Sequence, residues 1–410
     1  MYVNCRTSVV SSSQGKLPAI IPPMARTRAV TALSLSLLFL IAACGGDGED
    51  NPFGVKSEVV TPADFPVSLA FAPDGRLFYA EQLSGNIRIV TADGELLPEP
   101  FAHIDTLSGS EWGLTGLAID PDFESNHYVY AYFTQAVQTE PKIGTPAVVR
   151  LTDANNKGTE PRTMVGDMPE SDPDHIGYNL NGRIAFGPDG FLYLSVGDYD
   201  SPLFNPQDLS MPLGKILRVN KEDGSPAPGN PFTDDPAADP RIFAYGFREP
   251  FPFAFEPTTA QLYGTDNTPV SCEELNIIES GGNYGYPDVG QFPFADCQFG
   301  SNNHGIYFFA KKDMQPESFL SNTYVSGLAF VSAAEYPSIG DALLVCESEK
   351  DTHTLRRLTL GGAKLDQVTA SDIVVKDCNR DVAVSPDGTI FYSSDTEIRR
   401  LTFEPTPAEQ

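Results

Sequence analysis

Ile184-Ala185-Phe186-Gly187-Pro188-Asp189-Gly190-Phe191-Leu192-Tyr193-Leu194 joins one short apolar strand to another through a tight turn. Pro-Asp-Gly is turn chemistry: proline presets φ, aspartate bonds the backbone ahead of it, and glycine takes a positive φ. The opening phrase, an alanine between two apolar residues, returns as Leu69-Ala70-Phe71, Leu117-Ala118-Ile119, Phe253-Ala254-Phe255, Leu328-Ala329-Phe330 and Val382-Ala383-Val384. Pro73-Asp74, Pro121-Asp122 and Pro386-Asp387 repeat the turn, Pro257 marks it after the fourth phrase, and Tyr336-Pro337 lies in a longer turn after the fifth. Intervals of about 50 to 75 residues between phrases indicate an array of equivalent units.

Each unit reads as strands. The first is apolar on both faces, as in a strand buried between neighbouring sheets, and its alanine is expected at a crowded position near an axis. A second strand follows the turn (Leu77-Phe78-Tyr79, Tyr128-Val129-Tyr130, Leu192-Tyr193-Leu194, Ile390-Phe391-Tyr392), and a third carries arginine at Arg88, Arg150, Arg218, Arg356 and Arg399. Blades of four antiparallel strands around a central channel form a β-propeller, and six phrases predict an all-β, six-bladed one. Regular repetition argues against a β-sandwich.

The N-terminus carries an address. Arg26 and Arg28 precede an apolar run, Ala29 to Ala43, that ends in small residues before Cys44. A basic region, a short apolar region and small residues before a cysteine read as a bacterial lipoprotein signal, with Cys44 lipidated. The run is short for a membrane-spanning helix. Met24 stands where such a signal should begin. The expected organisation is therefore a signal region over 1–43, a tether over 44–56, the propeller over 57–404 and a tail over 405–410. The protein is expected in the cell envelope, periplasmic or at the surface, and held to the membrane by the lipid alone.

Composition agrees with export. Beyond Cys5 and Cys44 the cysteines are Cys272, Cys297, Cys346 and Cys378. Four cysteines in an exported chain favour two disulfides out of three connectivities, and proximity favours Cys272 with Cys297 and Cys346 with Cys378. None shows C-x-x-C metal spacing. A formal net charge of −28 disfavours nucleic acid and anionic membrane surfaces as partners.

Six ordered motifs go further: Gly113-Leu114-Thr115-Gly116-Leu117-Ala118 with Asp120-Pro121-Asp122-Phe123; Asn181-Gly182-Arg183 through to Gly197-Asp198; Gly214-Lys215-Ile216-Leu217-Arg218; Tyr245-Gly246-Phe247-Arg248; Glu274-Leu275-Asn276-Ile277-Ile278 through Asn283-Tyr284-Gly285-Tyr286-Pro287; and Asn379-Arg380-Asp381-Val382. From about Pro62 to Phe403 the chain resembles the soluble quinoprotein sugar dehydrogenases, the glucose/sorbosone dehydrogenase family. These are six-bladed propellers that oxidise sugars with pyrroloquinoline quinone (PQQ) and calcium. The resemblance implies one calcium on Glu274 and the Tyr284 carbonyl, and a second on the carbonyls of Thr268 and Pro269. Oxygen ligands of this kind suit a hard cation. It also implies cofactor contacts from Glu111, Arg248, Asn267, Arg380 and Lys350, since arginines and amides hold carboxylates. Structural roles compete: Arg380 with Asp377 or Asp381, Arg248 with Glu249.

The departures concern chemistry. The family's catalytic histidine falls on Asn179, and asparagine accepts no proton near neutral pH. His175, beside Asp174, is the substitute if this loop is longer than usual. Glu249 replaces an amide after Arg248, Asn267 stands for a glutamine, and Cys378 replaces an arginine. Three readings follow: an exported, lipid-anchored quinoprotein oxidising a sugar or related alcohol and passing electrons to a periplasmic acceptor such as a cytochrome; a non-catalytic calcium-stabilised propeller that binds carbohydrate or a partner protein; and a metal-dependent lactonase, for which Glu111, Asn179 and Asn267 would be ligands.

Overall fold

In a computed structural model of the chain, every one of the six alanine phrases is the innermost strand of a four-stranded antiparallel sheet. The structure describes residues 52–109, 111–174, 178–267, 273–286, 305–309, 323–349 and 352–403. The signal region with Met24, Cys44 and most of the tether, His175, Thr268, Pro269, Cys272, Cys297, Lys350 and the 405–410 tail lie outside these residues.

Blade one comprises Pro66–Phe71, Leu77–Glu81, Asn86–Val90 and Ala102–His103, and blade two Leu114–Ile119, Tyr128–Thr139, Lys142–Asp153 and Gly158–Val165. Blade three is built from Ile184–Phe186, Leu192–Val196, Lys215–Val219 and Ile242–Tyr245, and blade four from Phe253–Phe255, Leu262–Asp266, Glu274–Ile278 and Gly305–Phe308. Blade five contains Thr323–Val331, Ala342–Glu349, Thr352–Gly361 and Gln367–Lys376. The sixth has three C-terminal strands, Val382–Val384, Ile390–Ser393 and Glu397–Phe403, and takes its outer strand, Val55–Pro62, from the other end of the chain. That strand opens at Val55, inside the stretch expected as tether, because Val55 is buried and pairs with Phe403. This pairing closes the ring.

The alanine has a different reason from the one expected. Side chains alternate along a strand, so the first and third residues of each phrase face one neighbouring blade and the alanine faces the other. Leu69 packs with blade-six residues while Ala70 packs with the core shared with blade two; Ile184 faces blade two while Ala185 faces blade four. The pattern recurs through all six inter-blade cores. In register, each alanine lies opposite a large second-strand residue: Phe78, Tyr130, Tyr193, Tyr263, Leu344 or Phe391. The small residue makes room for the large one within the wedge between blades. Five of the six alanines are only half-buried, so close packing at the axis is not what selects them.

The axis is occupied instead by the residues just before the phrases. Arg183 of blade three and Asp381 of blade six stand on opposite sides of a six-membered ring, and Arg183 Nη1 meets Asp381 Oδ2 at 3.1 Å. The guanidinium also donates to the Ser326 carbonyl at 2.7 Å and to the Arg380 carbonyl at 3.3 Å, and lies 4.8 Å from the Phe251 ring centroid. Asp381 Oδ2 accepts the Leu69 N–H at 2.8 Å. One buried pair thus ties blades one, three, five and six. Gly327 stands beside it because a Cβ there would come within 2.8 Å of the Asp381 Cα. Cys346 of blade five is disulfide-bonded to Cys378, just before the blade-six inner strand, with Cα atoms 5.1 Å apart.

Breaking a buried pair from one side leaves an uncompensated charge, at a cost of about 3–5 kcal/mol. In urea unfolding, Asp381→Ala is expected to lose stability in that range, whereas the double variant Arg183→Met/Asp381→Leu should lose less than the sum of its singles.

Candidate active site

The segments that enter the inner strands converge at one end of the axis, and they build a pocket of about 270 Å³. Every blade contributes: Gln82, Thr115, Asn181, Phe251, Tyr324 and Arg380, with Glu111 from the turn that leads into blade two. The size lies just below the range of about 300–1,000 Å³ typical of small-molecule sites. A larger open hollow of about 1,560 Å³ lies by the hairpin turns of blades three and four, around Asp189 and Gln261, at the other end of the inner strands. Convergence of all six blades, five of them through polar side chains, singles out the axial pocket.

One cation lines it and a second lies close to Glu111. Arg380 lies in the pocket wall, 4.3 Å from the Phe65 ring centroid, and its Nε bonds Asp395 at 2.5 Å. Its carboxylate partner is thus Asp395, in place of Asp377 or Asp381. Arg248 donates to the Asn267 carbonyl at 3.1 Å, reaches Asp200 at 3.4 Å and Glu249 at 3.8 Å, and its buried Nε has no partner among the described residues. Asn267 is turned to another task. Its amide bonds the Val325 N–H and carbonyl at 3.2 and 3.3 Å, so it is a strut holding the blade-five inner strand.

Acids crowd the same region. Asn179, at the family's base position, is buried with φ of 51°, a left-handed conformation that asparagine tolerates better than most residues. Its N–H donates to Glu111 Oε2 and its side-chain amide to Asp198 Oδ1 at 2.6 Å. Gly197 permits this fold, since a Cβ there would sit 2.1 Å from the Asn179 carbonyl oxygen. Burial raises the Glu111 and Asp198 carboxyls, against the opposing pull of their hydrogen bonds and Arg248. Burial, reinforced by the charge of Glu111, pushes Glu249 well above the usual carboxylate range. A protonated Glu249 presents both a donor and an acceptor, as an amide would, so it adds no anion to a pocket expected to hold carboxylates.

The described residues that the resemblance assigns to calcium lie on the third strand of blade four and just after it. Glu274 is buried on the blade-four third strand opposite Asp266, and its Oε1 accepts from Asn276 at 3.1 Å. Burial, then the neighbouring Glu274, pushes Asp266 up to about 8, and burial takes Glu273 to about 8. Asn276 Oδ1 and Glu273 Oε2 are buried without partners among the described residues. Excess buried oxygen suits a hard divalent cation. Tyr284 stacks on Phe247 with ring centroids 4.4 Å apart, and its hydroxyl donates to the Ile277 carbonyl at 2.6 Å, which fixes its main chain. Among the described residues no three His, Cys, Asp or Glu side chains converge on one point. Main-chain carbonyls, as the resemblance implies, would therefore have to complete any calcium site.

A six-bladed propeller whose axial pocket is lined by Arg380, Glu111 and amide side chains is the architecture of a small-molecule site at the mouth of a ring. Residues 63–402 match the glucose/sorbosone dehydrogenase family, and the chain belongs to that family. It is similar to an aldose sugar dehydrogenase of Escherichia coli K12, at 28% identity over 84% of this chain and 91% of that one. Among solved structures, it resembles an oxidoreductase of Thermus thermophilus described as a glucose dehydrogenase, at 32% identity and a TM-score of 0.69 over 85% of this chain and all of the other. The PQQ-bound aldose sugar dehydrogenase of Streptomyces coelicolor matches at 25% identity and a TM-score of 0.66, over 86% and 99% of the two chains.

Sequence reading missed Asp198, Asp266 and the Arg183–Asp381 pair. A usable signal was an acid a few residues beyond the large residue that faces each alanine, as at Glu81, Asp198, Asp266, Glu347 and Asp395.

The raised carboxyls have a consequence for stability. A group that binds protons more tightly when folded loses stability as pH rises from its unfolded to its folded value. For Asp266, Glu273 and Asp381 the windows run from 3.8 or 4.5 up to about 8, 8 and 6 respectively. Carboxyls held low, such as Asp74 and Asp120, act in the opposite sense but below 3.8. Metal-free protein should therefore become less stable between about pH 5 and 8. Thermal denaturation in chelator across that range checks this, with calcium expected to restore stability most at the upper end.

Proposed function

We propose that this chain is a quinoprotein-type dehydrogenase that oxidises a hydroxyl of an aldose or related sugar, using PQQ together with calcium. The observation that carries the reading is the axial pocket, which all six blades line and five furnish with a polar side chain, with Arg380 in its wall and Arg248 close to its Glu111. These two guanidiniums would hold the cofactor's carboxylates, since charge-assisted bonds to carboxylate are the strong ones. Asn181 and Gln82 add neutral polar contacts in the same wall. When bound, PQQ supplies a two-electron acceptor and calcium supplies Lewis acidity at the quinone.

This chain's own residues do the rest. Glu274, the Tyr284 carbonyl and the carbonyls of Thr268 and Pro269 would hold calcium. Phe251 and Tyr324 flank the pocket with aromatic surface that excludes water. Lys350 and His175 remain proposals for cofactor contact and proton transfer. The lipoprotein signal ending at Cys44 supports export and anchoring in the cell envelope, where electrons would pass to a periplasmic acceptor.

Titration of apo-protein with PQQ and calcium, followed by absorbance, tests the reading. Saturable one-to-one uptake at micromolar concentration and aldose-dependent reduction of a dye are expected. Arg248→Ala should weaken uptake by roughly 10- to 100-fold, matching the loss of a charged hydrogen bond of about 1.5–3 kcal/mol. Absence of uptake by the parent protein would overturn it.

A further inference from the structure

We propose that Glu111 is the general base of this dehydrogenase, taking the substrate hydroxyl proton at the position where Asn179 cannot. The proposal rests on the dehydrogenase reading above. Oxidising an alcohol to a carbonyl breaks two bonds. The C–H bond gives up its hydrogen with the electron pair, as hydride, to the two-electron quinone acceptor. The O–H bond gives up a proton, and its electron pair closes the new C=O bond. The substrate is oxidised and the quinone reduced by the same two electrons, so only the proton needs a protein acceptor.

The pocket offers one. Among its described lining residues Glu111 is the sole carboxyl, and the described histidines are elsewhere. His103 lies on the outer strand of blade one, His127 caps the Phe123–Asn126 helix, and His353 bonds Ser348 on blade five. Asp198 is buried and held by the Asn179 amide and the Asp200 N–H, outside the lining.

Glu111 is also oriented. Its Oε2 accepts the Asn179 N–H, while the Asn179 side chain is fixed by Asp198. Asp198, Asn179 and Glu111 thus form a relay of position in which a third group aims the base, the arrangement that nucleophile–base pairs elsewhere require. Asparagine at the expected base position acts here as the positioning residue, through its left-handed backbone and its amide.

The groups around Glu111 raise its proton affinity above that of an exposed glutamate. Burial first, then Asp200 and Asp198, favour its protonated form, Tyr324 faces it, and the Asn179 N–H and Arg248 limit the rise. A carboxyl raised in this way is a better base at working pH than an exposed glutamate.

Glu111→Gln keeps the shape and the acceptor for Asn179 but removes the basic oxygen. Parent protein and variant are compared in four measurements: PQQ uptake by absorbance, kcat and KM with an aldose and dye, the pH dependence of kcat/KM, and an infrared titration of carboxyl protonation in the apo-protein. Expected are uptake within about threefold of the parent, kcat lower by about 10²–10⁴-fold with KM little changed, and loss of the rising limb of the pH profile. The apo-protein should show a carboxyl, absent from the variant, that titrates above the ordinary glutamate range. Glu111→Asp should recover part of the turnover. Normal uptake with turnover in Glu111→Gln within threefold of the parent, and the loss found instead in His175→Ala, would overturn the assignment while leaving the dehydrogenase reading intact. No cofactor uptake by the parent would overturn both.

Discussion

Six sheets arranged as a ring leave a hole at the centre, and in this protein a single buried ion pair bridges it. Arg183 reaches across to Asp381, and through the Leu69 N–H and the Ser326 carbonyl the pair fixes the entry segments of four blades. Those segments also carry Asn181, Tyr324 and Arg380, so the clasp that closes the axis also sets the floor of the pocket. Stability and site geometry therefore share one contact. The Cys346–Cys378 disulfide acts in the same place, anchoring the residues that lead into Arg380 and Asp381.

Around that clasp the protein concentrates buried acids. Glu111, Asp198, Glu249, Asp266, Glu273 and Glu274 lie along blades three and four or face them, and Arg248 is the cation nearest to several of them. Ionised together they would repel strongly in a medium of low dielectric. Protonation relieves part of this, and a divalent cation would relieve more. The same surplus resolves an apparent conflict at Glu249, since a neutral carboxyl beside Arg248 can do what an amide does.

Much of this was legible in the chain. The alanine phrases placed all six inner strands, and the turn residues placed the hairpins after them. The reason for the alanine was not legible, because its partner is a large residue on the next strand that fills the wedge between blades. Closure of the ring was hidden too. Val55–Pro62 lacks the phrase, and its partner, Glu397–Phe403, lies at the far end of the sequence. Arg183 and Asp381 both stood within recognised motifs, yet their pairing shows only once blades three and six are set opposite each other. At the site, motif position picked out Arg248, Arg380, Glu111 and Asn179, which the fold brings near one another, whereas the task of Asn267 became clear only from its bonds to Val325.

The central claim is that the axial mouth, rather than another hollow of the propeller, receives a quinone cofactor. A crystal structure of the protein grown with PQQ and calcium tests it directly. The account predicts cofactor density between Arg248 and Arg380 with Glu111 facing the substrate side, and a metal peak beside Glu274 and the Tyr284 carbonyl. Cofactor density in the hollow around Asp189 and Gln261, with the axial pocket filled by water alone, would contradict it.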